Sequence, residues 1–281
     1  MPVECLEYLA LKADGIYVDV TAGMGGHTGL IAKQLRTGLV LSCDRDAESL
    51  ERARANTADW AERIRYRHAN FSMLRKTLEA EGVSQVDGLL ADLGVSRHQL
   101  TEGERGFSLM ADGPLDMRMD RSQEQTAADL VNYEAEKQLA DLIFKLGEER
   151  RSRKIARAIV RARPITTTGE LASVIESVVP RTGKLHPATQ TFMALRTAVN
   201  REAEELAALL EAIPGAVKSG GRVVMLTFMS IEDRAVKQSF QALAKQGRAR
   251  ILTKHVIRPG GEEVRMNPPS RSAKLRAIEI I

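Results

Sequence analysis

The sequence predicts an α/β fold: an open, mainly parallel sheet that carries an inserted all-helical domain. Between residues 15 and 92, short apolar runs alternate with helix-like stretches, as in parallel strands joined by crossover helices. The alternation stops after Asp92, and strand character returns only at residue 222. The Pro/Gly-rich connection 258–271 is too short for a crossover helix with its loops, so we expect the last two β-segments to pair antiparallel.

The individual elements follow from these patterns in chain order. In the first part we expect strands at 15–21, 39–43, 64–67 and 86–91, with helices at 28–36, 46–56 and 72–81. In the last part we expect a strand at 222–228, a helix at 231–244, and β-segments at 249–257 and 274–281. The domains predicted from this order are a first sheet part, a helical insert and a second sheet part, at 1–101, 102–212 and 213–281.

The composition is that of a globular chain. With 281 residues, of which 43% are hydrophobic and 28% charged, the chain can bury a substantial core. No apolar run approaches the ~20 residues needed to span a bilayer, and the first residues lack the regions of a secretory signal, so we expect a cytosolic protein without membrane contact. Cys5 and Cys43 fit no metal or redox spacing.

Polar residues follow the predicted strands at the edge where ligands bind in open α/β sheets. The first strand ends in the string DVTAGMGGH at 19–27, whose glycines would let a ligand approach the backbone. Alone, such a turn is equally consistent with a tight connection between strand and helix. It fits the dinucleotide fingerprint only in part, because the third glycine position is Thr28.

Three further strand ends strengthen the interpretation. Asp44 could accept hydrogen bonds from ribose hydroxyls, or cap the next helix, a role that suits Asp46 better. Asn70 and Phe71 could face an adenine ring, although core packing of Phe71 is a close alternative. Asp92 ends a largely apolar strand, where a carboxylate has no obvious structural task. Together with the glycine turn, these residues favour a pocket for a nucleoside-containing cofactor.

A parallel sheet closed by an antiparallel pair is the layout of the methyltransferases that use S-adenosylmethionine. From about Tyr17 to Arg276 the sequence resembles the ribosomal RNA small subunit methyltransferase H family. The resemblance is carried by the strings DVTAGMGGH (19–27), DRD (44–46), DLGVS (92–96), ERGFS (104–108), DGPLDMRMD (112–120), EER (148–150), HPAT (186–189), ALR (194–196), SIEDR (230–234) and SRSAKLR (270–276).

The resemblance implies a Rossmann-like enzyme that uses S-adenosyl-L-methionine to methylate N4 of one cytidine in the decoding region of small-subunit (16S) ribosomal RNA. It implies cofactor contacts at Gly25, Gly26, His27, Asp44, Phe71, Asp92 and Gln99. It also implies a helical insert that helps to bind RNA, within an assembled or assembling 30S subunit, and often a homodimer.

The chain departs from the family's usual residues at several positions. Methionine stands at Met1 and Met229 where relatives usually have histidine, Met193 replaces glutamine, and SRHQ replaces SSPQ at 96–99. Met229 matters most, because a histidine at that strand end could contact RNA or a catalytic group. Two other functions therefore stay open: a cofactor-binding ribosome-assembly protein without activity, and an amino-group methyltransferase acting on another nucleic acid.

Amino methylation makes limited chemical demands on the protein. The sulfonium methyl group is already a strong electrophile, so the site must align it with the amine and exclude water. Acceptors aimed at the amine N–H bonds would improve this poor nucleophile, and Asp92 is the predicted catalytic residue, with the Leu93 carbonyl as an alternative acceptor. Phe107 or Phe228 could stack on the base, and neither cysteine suits methylation at cytosine C5.

The basic residues concentrate in two segments. Residues 150–163 contain no acid, and helical spacing aligns Arg150, Lys154, Arg157 and Arg161 in one row, opposite an apolar row of Ile155, Ala158, Ile159 and Ala162. The second segment, 248–276, contributes the predicted RNA-binding residues Arg271, Lys274 and Arg276. A solvated surface is the alternative for the first segment. The low aromatic content of 4% favours a shaped ribosomal RNA over a general stacking platform.

Two further patterns are interpreted as structural. Asp112, Asp116 and Asp120 do not have the spacing of a calcium loop, so we expect no metal. A helix predicted at about 197–210 presents Val199, Leu206 and other apolar residues at core spacing.

Overall fold

A computed structural model describes residues 1–181, 183 and 185–281. Its helices are Pro2–Leu9 (α1), Gly26–Gln34 (α2), Ala47–Asn56 (α3), Leu74–Ala80 (α4), Arg97–Thr101 (α5), Ala127–Tyr133 (α6), Glu136–Gly147 (α7), Ser152–Ala162 (α8), Thr168–Val178 (α9), Thr189–Val199 (α10), Glu202–Ala216 (α11), Ser230–Lys245 (α12) and Gly261–Met266 (α13). Its strands are Ile16–Asp19 (β1), Leu39–Asp44 (β2), Ile64–His68 (β3), Val86–Asp92 (β4), Val217–Thr227 (β5), Ala249–Ile251 (β6) and Lys274–Ile280 (β7). Short 3-10 turns lie at Ala58–Arg63, Phe71–Met73, Gly103–Arg105 and Pro268–Ser272.

The chain forms two compact units. The sheet unit comprises Met1–Gly94 and Ala203–Ile281, and the helical unit comprises Val95–Glu202. The helical unit begins and ends earlier in the chain than the insert predicted at 102–212. Among the described residues, no helix combines the length and apolarity needed to cross a bilayer.

The sheet has seven strands in the order β3-β2-β1-β4-β5-β7-β6. Strands β1 to β5 are parallel, and β7 pairs antiparallel with both β5 and β6. The predicted α/β class, with its antiparallel end, is thus confirmed. Strand order reverses between β1 and β4, and such a reversal opens a crevice at the carboxyl ends of the neighbouring strands.

The apolar middle of strand β4 is covered by other residues on both faces of the sheet. Leu89 packs into a core cluster on one face of the sheet, with Val18, while Leu90 packs into the cluster on the other face, with Tyr17. All four side chains are buried. A strand covered on both faces needs apolar residues at successive positions, and each such side chain contributes about 1.5–3 kcal/mol.

The helical unit has its own core, to which α8 contributes Ile155, Ala156 and Ile159. Of the predicted apolar row, Ile155 and Ile159 are therefore buried, whereas Ala158 is half-buried and Ala162 exposed. Ala162 is exposed because it lies at the end of the helix. Ala156, which was not part of the predicted row, is buried in the core instead.

The prediction of a single helix at 197–210 was wrong, because one helix ends and another begins within this range. Helix α10 ends at Val199 and α11 begins at Glu202, with Arg201 in the left-handed region at φ 47°. The Asn200 side chain donates to the Met117 carbonyl at 2.7 Å and accepts from the Met119 N–H at 2.7 Å. The break depends on these contacts with a distant loop, which periodicity in the local sequence does not reveal.

Candidate active site

Three aspartates end adjacent strands of the sheet unit: Asp19 in β1, Asp44 in β2 and Asp92 in β4. Because β1 lies between β2 and β4, the three residues share the carboxyl edge. Asp19 is fully buried and accepts from Thr28 Oγ1 at 2.7 Å and from the Thr21 N–H at 3.1 Å. Burial raises the pKa of Asp19, and the nearby charge of His27 opposes that rise. Thr28 therefore ties the start of α2 to β1.

The glycine turn leaves an opening at the start of α2. Gly25 precedes the helix with φ 84°, and a Cβ there would lie 2.9 Å from Thr57 Cγ2. At Gly26 a Cβ would have no heavy atom within 4 Å. Gly25 is therefore required by the fold, whereas Gly26 borders open space where a ligand can approach the backbone.

Asp44 links the glycine turn to the next helix. Its carboxylate accepts from the Gly23 N–H at 2.8 Å and from the Asp46 N–H at 2.9 Å. Asp46 is the residue that caps α3, accepting from the Glu48 N–H at 3.0 Å. Burial raises the pKa of Asp44 to about 6, against the effect of the two backbone hydrogen bonds. Each carboxylate oxygen has a second lone pair, which could accept from a ribose hydroxyl.

His27 and Asp92 form the most exposed part of this cluster. His27 Nε2 lies 3.5 Å from Asp92 Oδ2, and the Asp92 N–H donates to Thr21 Oγ1 at 2.7 Å. Burial disfavours the charged imidazole, but the hydrogen bond and charge of Asp92, with the charge of Asp19, raise the pKa of His27 overall. The carboxyl groups of Asp92 and Asp19 therefore favour the protonated form of His27.

Two buried atoms of this pair lack a hydrogen-bond partner within the described part of the chain: His27 Nδ1 and Asp92 Oδ1. Leaving a buried polar group unmatched costs about 1–3 kcal/mol, so such groups usually have a ligand or water as partner. Together with the open space at Gly26, they make the edge suitable for a polar nucleoside cofactor.

Phe71 and Gln99, the other predicted cofactor contacts, belong to different units. Phe71 opens the 3-10 turn after β3, is half-buried, and packs against the sheet core. Gln99 is buried in the helical unit, where its Oε1 accepts from the Ser96 N–H at 2.9 Å in a capping box at the start of α5. The cofactor contacts of both residues stay predictions.

The two candidate stacking rings have different surroundings. Phe107 is buried in the core of the helical unit, with the Arg105 guanidinium 5.8 Å from its ring centroid. Phe228 follows β5 at the carboxyl edge and is only half-buried. Phe228 is therefore the better candidate for stacking on a base.

The cysteines are poorly suited to nucleophilic chemistry. Both Cys5 and Cys43 are buried thiols. Burial raises the pKa of Cys43 to about 12, and burial with the nearby charge of Asp92 raises that of Cys5 as well. Both are thus protonated at neutral pH, and a thiol of this kind is a weak nucleophile.

Met229, the most notable departure from the family pattern, is buried just before α12. Glu232 Oε2 accepts from the backbone N–H groups of Phe228 and Met229, both at 3.0 Å. The Glu232 carboxylate thereby caps the start of α12.

The predicted RNA-binding row of the helical unit is exposed. Arg150 precedes α8, and Lys154, Arg157 and Arg161 lie on it, all with exposed side chains. Arg157 Nε lies 3.4 Å from Glu136 Oε1 of α7. An exposed pair of this kind contributes little and leaves the row accessible.

The second basic set differs from the expectation. Arg276 Nε lies 2.7 Å and Lys274 Nζ 3.7 Å from the Asp233 carboxylate of α12, and their side chains are only 13% and 17% exposed. Burial opposes ionisation of Asp233, but the hydrogen bond from Arg276 lowers its pKa overall. Lys274 and Arg276 thus hold α12 against β7, whereas Arg271 is exposed. Sequence reasoning missed this acid because it lies far upstream, in the string SIEDR.

Comparisons with known proteins agree with this geometry. A model of the MraW methylase family matches residues 1–281. Ribosomal RNA small subunit methyltransferase H of Solibacter usitatus is 60% identical over 280 residues, covering 100% of this chain and 98% of that protein. The protein of the same name from Coprothermobacter proteolyticus is 44% identical over 282 residues, covering 99% and 94%.

A solved structure supports the fold independently. An rRNA methylase from Streptococcus thermophilus has a TM-score of 0.50 at 12% identity, covering 100% of this chain and 97% of that one. At this identity the similarity bears on the fold alone. With the family model matching its whole length, the chain belongs to the MraW methylase family of S-adenosylmethionine-dependent methyltransferases.

Proposed function

We propose that this methyltransferase modifies the exocyclic N4 of a cytidine in the decoding region of small-subunit ribosomal RNA, the position known as cytosine 1402 of 16S rRNA. The relatives are named for small-subunit ribosomal RNA. The observation that carries the chemistry is the unmatched Asp92 Oδ1 at the end of β4, beside the open glycine turn.

Different residues at the carboxyl edge would contact different parts of the cofactor. Gly25, Gly26 and His27 would border it at the start of α2, Asp44 would accept from the ribose hydroxyls, and Phe71 would offer an apolar face to the adenine. Gln99 is a further proposed cofactor contact. When bound, S-adenosylmethionine supplies a methyl group that is already electrophilic.

Asp92 is the proposed catalytic residue. Its Oδ1 would accept a hydrogen bond from the cytosine amine, which orients the nitrogen lone pair and stabilises the positive charge that develops there. His27, whose Nε2 lies 3.5 Å from Oδ2, would fix the orientation of the carboxylate. No step requires a metal.

The helical unit would serve as the substrate-recognition domain. Its exposed row of Arg150, Lys154, Arg157 and Arg161 supports contact with RNA phosphates. Because the relatives are bacterial proteins named for a ribosomal target, we place the activity in the cytoplasm, on an assembled or assembling 30S subunit. The homodimer implied by the resemblance forms no part of this proposal.

Mass spectrometry of rRNA nucleosides tests the proposal. N4-methylcytidine should disappear from small-subunit rRNA when the gene is deleted, return with the wild-type gene, and stay absent with Asp92→Asn. Asp59→Asn, a change at an exposed carboxylate, should restore it. Full modification with Asp92→Asn would reject the catalytic role of Asp92.

A second assay distinguishes the proposed function from the two alternatives, an amino-group methyltransferase with another target and an inactive ribosome-assembly protein. Tritium transfer from labelled cofactor to 30S subunits, free rRNA and duplex DNA should label ribosomal RNA and not DNA. Labelling of DNA would favour an amino-group methyltransferase with another target. Calorimetric cofactor binding without any methyl transfer would favour an inactive assembly protein.

A further inference from the structure

The connection between β6 and β7, residues 252–273, lies at the same edge of the sheet as Asp92. Lys274, the first residue of β7, pairs with Thr227, the last residue of β5. The Leu252 N–H donates to the Ala277 carbonyl, and Ile257 bridges Leu275. The connection therefore leaves and re-enters the sheet at the carboxyl edge, and we name residues 252–273 the edge segment.

The edge segment carries cations that the fold does not use. Four exposed basic side chains have no hydrogen bond or ion pair to any described residue: Lys254, Arg258, Arg265 and Arg271. Of its acids, Glu263 is engaged by the amino group of Met1, and Glu262 alone is exposed. By contrast, Lys274 and Arg276, just beyond the segment, both form ion pairs with Asp233.

We propose that the edge segment binds the phosphates of the RNA strand that flank the target base. This inference rests on the proposed function. A base in a folded RNA must be unstacked to reach the carboxyl edge, which costs a few kcal/mol, and cations placed beside that edge can stabilise the displaced backbone. Placement favours RNA over an acidic protein or lipid surface, because the cations lie on the same carboxyl edge of the sheet as the residues that would perform the reaction.

The chain offers a matched control for the test. The edge variant is K254Q/R258Q/R265Q/R271Q. The control variant, K33Q/R36Q/K245Q/R248Q, removes the same charge from exposed residues near the opposite edge, where α2 and α12 end and where β2 and β6 begin. Both keep the full chain and all proposed active-site residues. Urea unfolding and calorimetric S-adenosylmethionine binding should be the same for the two variants.

Affinity for a fluorescently labelled decoding-region RNA is then measured from 50 to 300 mM salt. Each phosphate contact to a single strand contributes about 0.7 to the slope of log affinity against log salt, so the edge variant should lose a slope of about 3. We expect the edge variant to bind at least about tenfold more weakly than the control at physiological salt.

Equal slopes and affinities for the two variants would overturn the proposal. It would also be overturned if the edge variant lost binding to anionic phosphatidylserine vesicles while its RNA binding matched the control. Failure of the proposed function looks different, because the wild-type protein would then bind RNA without methylating 30S subunits.

Discussion

Two regions of the molecule carry several carboxylates each, and they use them in opposite ways. At the carboxyl edge of the sheet unit, Asp92 Oδ1 and His27 Nδ1 are buried and have no hydrogen-bond partner among the described residues. In the string DGPLDMRMD of the helical unit, Asp112 accepts from the Gly169 N–H at 2.7 Å and Asp116 pairs with Arg118 Nε at 2.8 Å. The first region has hydrogen-bonding capacity left for a ligand. The second uses its carboxylates to hold a loop together.

The loop around residues 105–120 is organised by a buried guanidinium. Arg105, only 2% exposed, donates to the carbonyls of Arg118 and Met119 at 3.0 and 3.1 Å. Asn200 fixes the same loop through Met119, and Met117 adopts a positive φ of 58°. A distinctive string therefore need not be a binding site, and unmatched buried atoms are the better guide to one.

The largest effect should come from Asp92→Asn. If Asp92 orients and stabilises the reacting amine, its loss should lower kcat by roughly 10²–10³-fold, as for other preorganised electrostatic groups. Methyl transfer to 30S subunits under saturating cofactor measures this. Asp92 Oδ1 has no partner among the described residues, and Asn keeps a polar side chain of the same size beside His27, so the midpoint of urea unfolding should move little. If Asp92→Asn destabilised the protein but left its specific activity unchanged, Asp92 would have a structural role like the carboxylates of the helical unit, and the contrast between the two regions would be wrong.

Arg105→Met should affect stability and not the chemical step. It leaves one buried and one partly buried carbonyl without their donor, so the free energy of unfolding should fall by about 3 kcal/mol. Urea unfolding measures the change, with Arg153→Met, at an exposed position of α8, as the control. A variant of wild-type stability would show that this loop is not held by Arg105.

The sequence predicts the sheet well because its signals are local. The apolar run of β4, the glycine turn and Asp44 at the end of β2 can each be recognised from a few neighbouring residues. What it misses depends on distant partners: Asn200 breaks a helix through contacts with Met117 and Met119, and Asp233 neutralises Arg276. Helix α1 at Pro2–Leu9 was also missed, and β6 is shorter than the predicted 249–257.

A smaller effect should appear in the pH dependence of cofactor binding. With its pKa raised from 3.8 to about 6 by burial, Asp44 is mostly protonated in the folded protein at pH 5 and ionised at pH 7. Only the ionised form accepts freely from two hydroxyls, so affinity for S-adenosylhomocysteine should rise roughly tenfold between these pH values. Calorimetry should show a flatter profile for Asp44→Asn, and an equally steep one would exclude Asp44 as the cause.

The raised pKa of Asp44 also makes the stability of the protein depend on pH. The folded carboxyl binds its proton more tightly than the unfolded one, so its contribution to stability declines as pH rises from 3.8 to about 6. As pH rises through this window, the free energy of unfolding of the wild-type protein should therefore fall relative to that of Asp44→Asn. Urea unfolding of both proteins measures this difference.

The smallest effect separates the two glycines of the turn. Gly26→Ala places a methyl group in open space, so it should leave stability unchanged and weaken cofactor binding by up to about tenfold, or 1.4 kcal/mol. Gly25→Ala adds a Cβ at φ 84° against Thr57 and should destabilise the fold by about 1–2 kcal/mol. If Gly26→Ala binds cofactor normally, the opening is not where the ligand lies.

The most direct measurement is a crystal structure of the full chain with S-adenosylhomocysteine. The account predicts ligand density along the carboxyl edge, with the ribose hydroxyls within hydrogen-bond distance of Asp44 and the sulfur facing Asp92 and Gly26. Ligand bound on another face of the sheet unit, with Asp44 and Asp92 uninvolved, would contradict it.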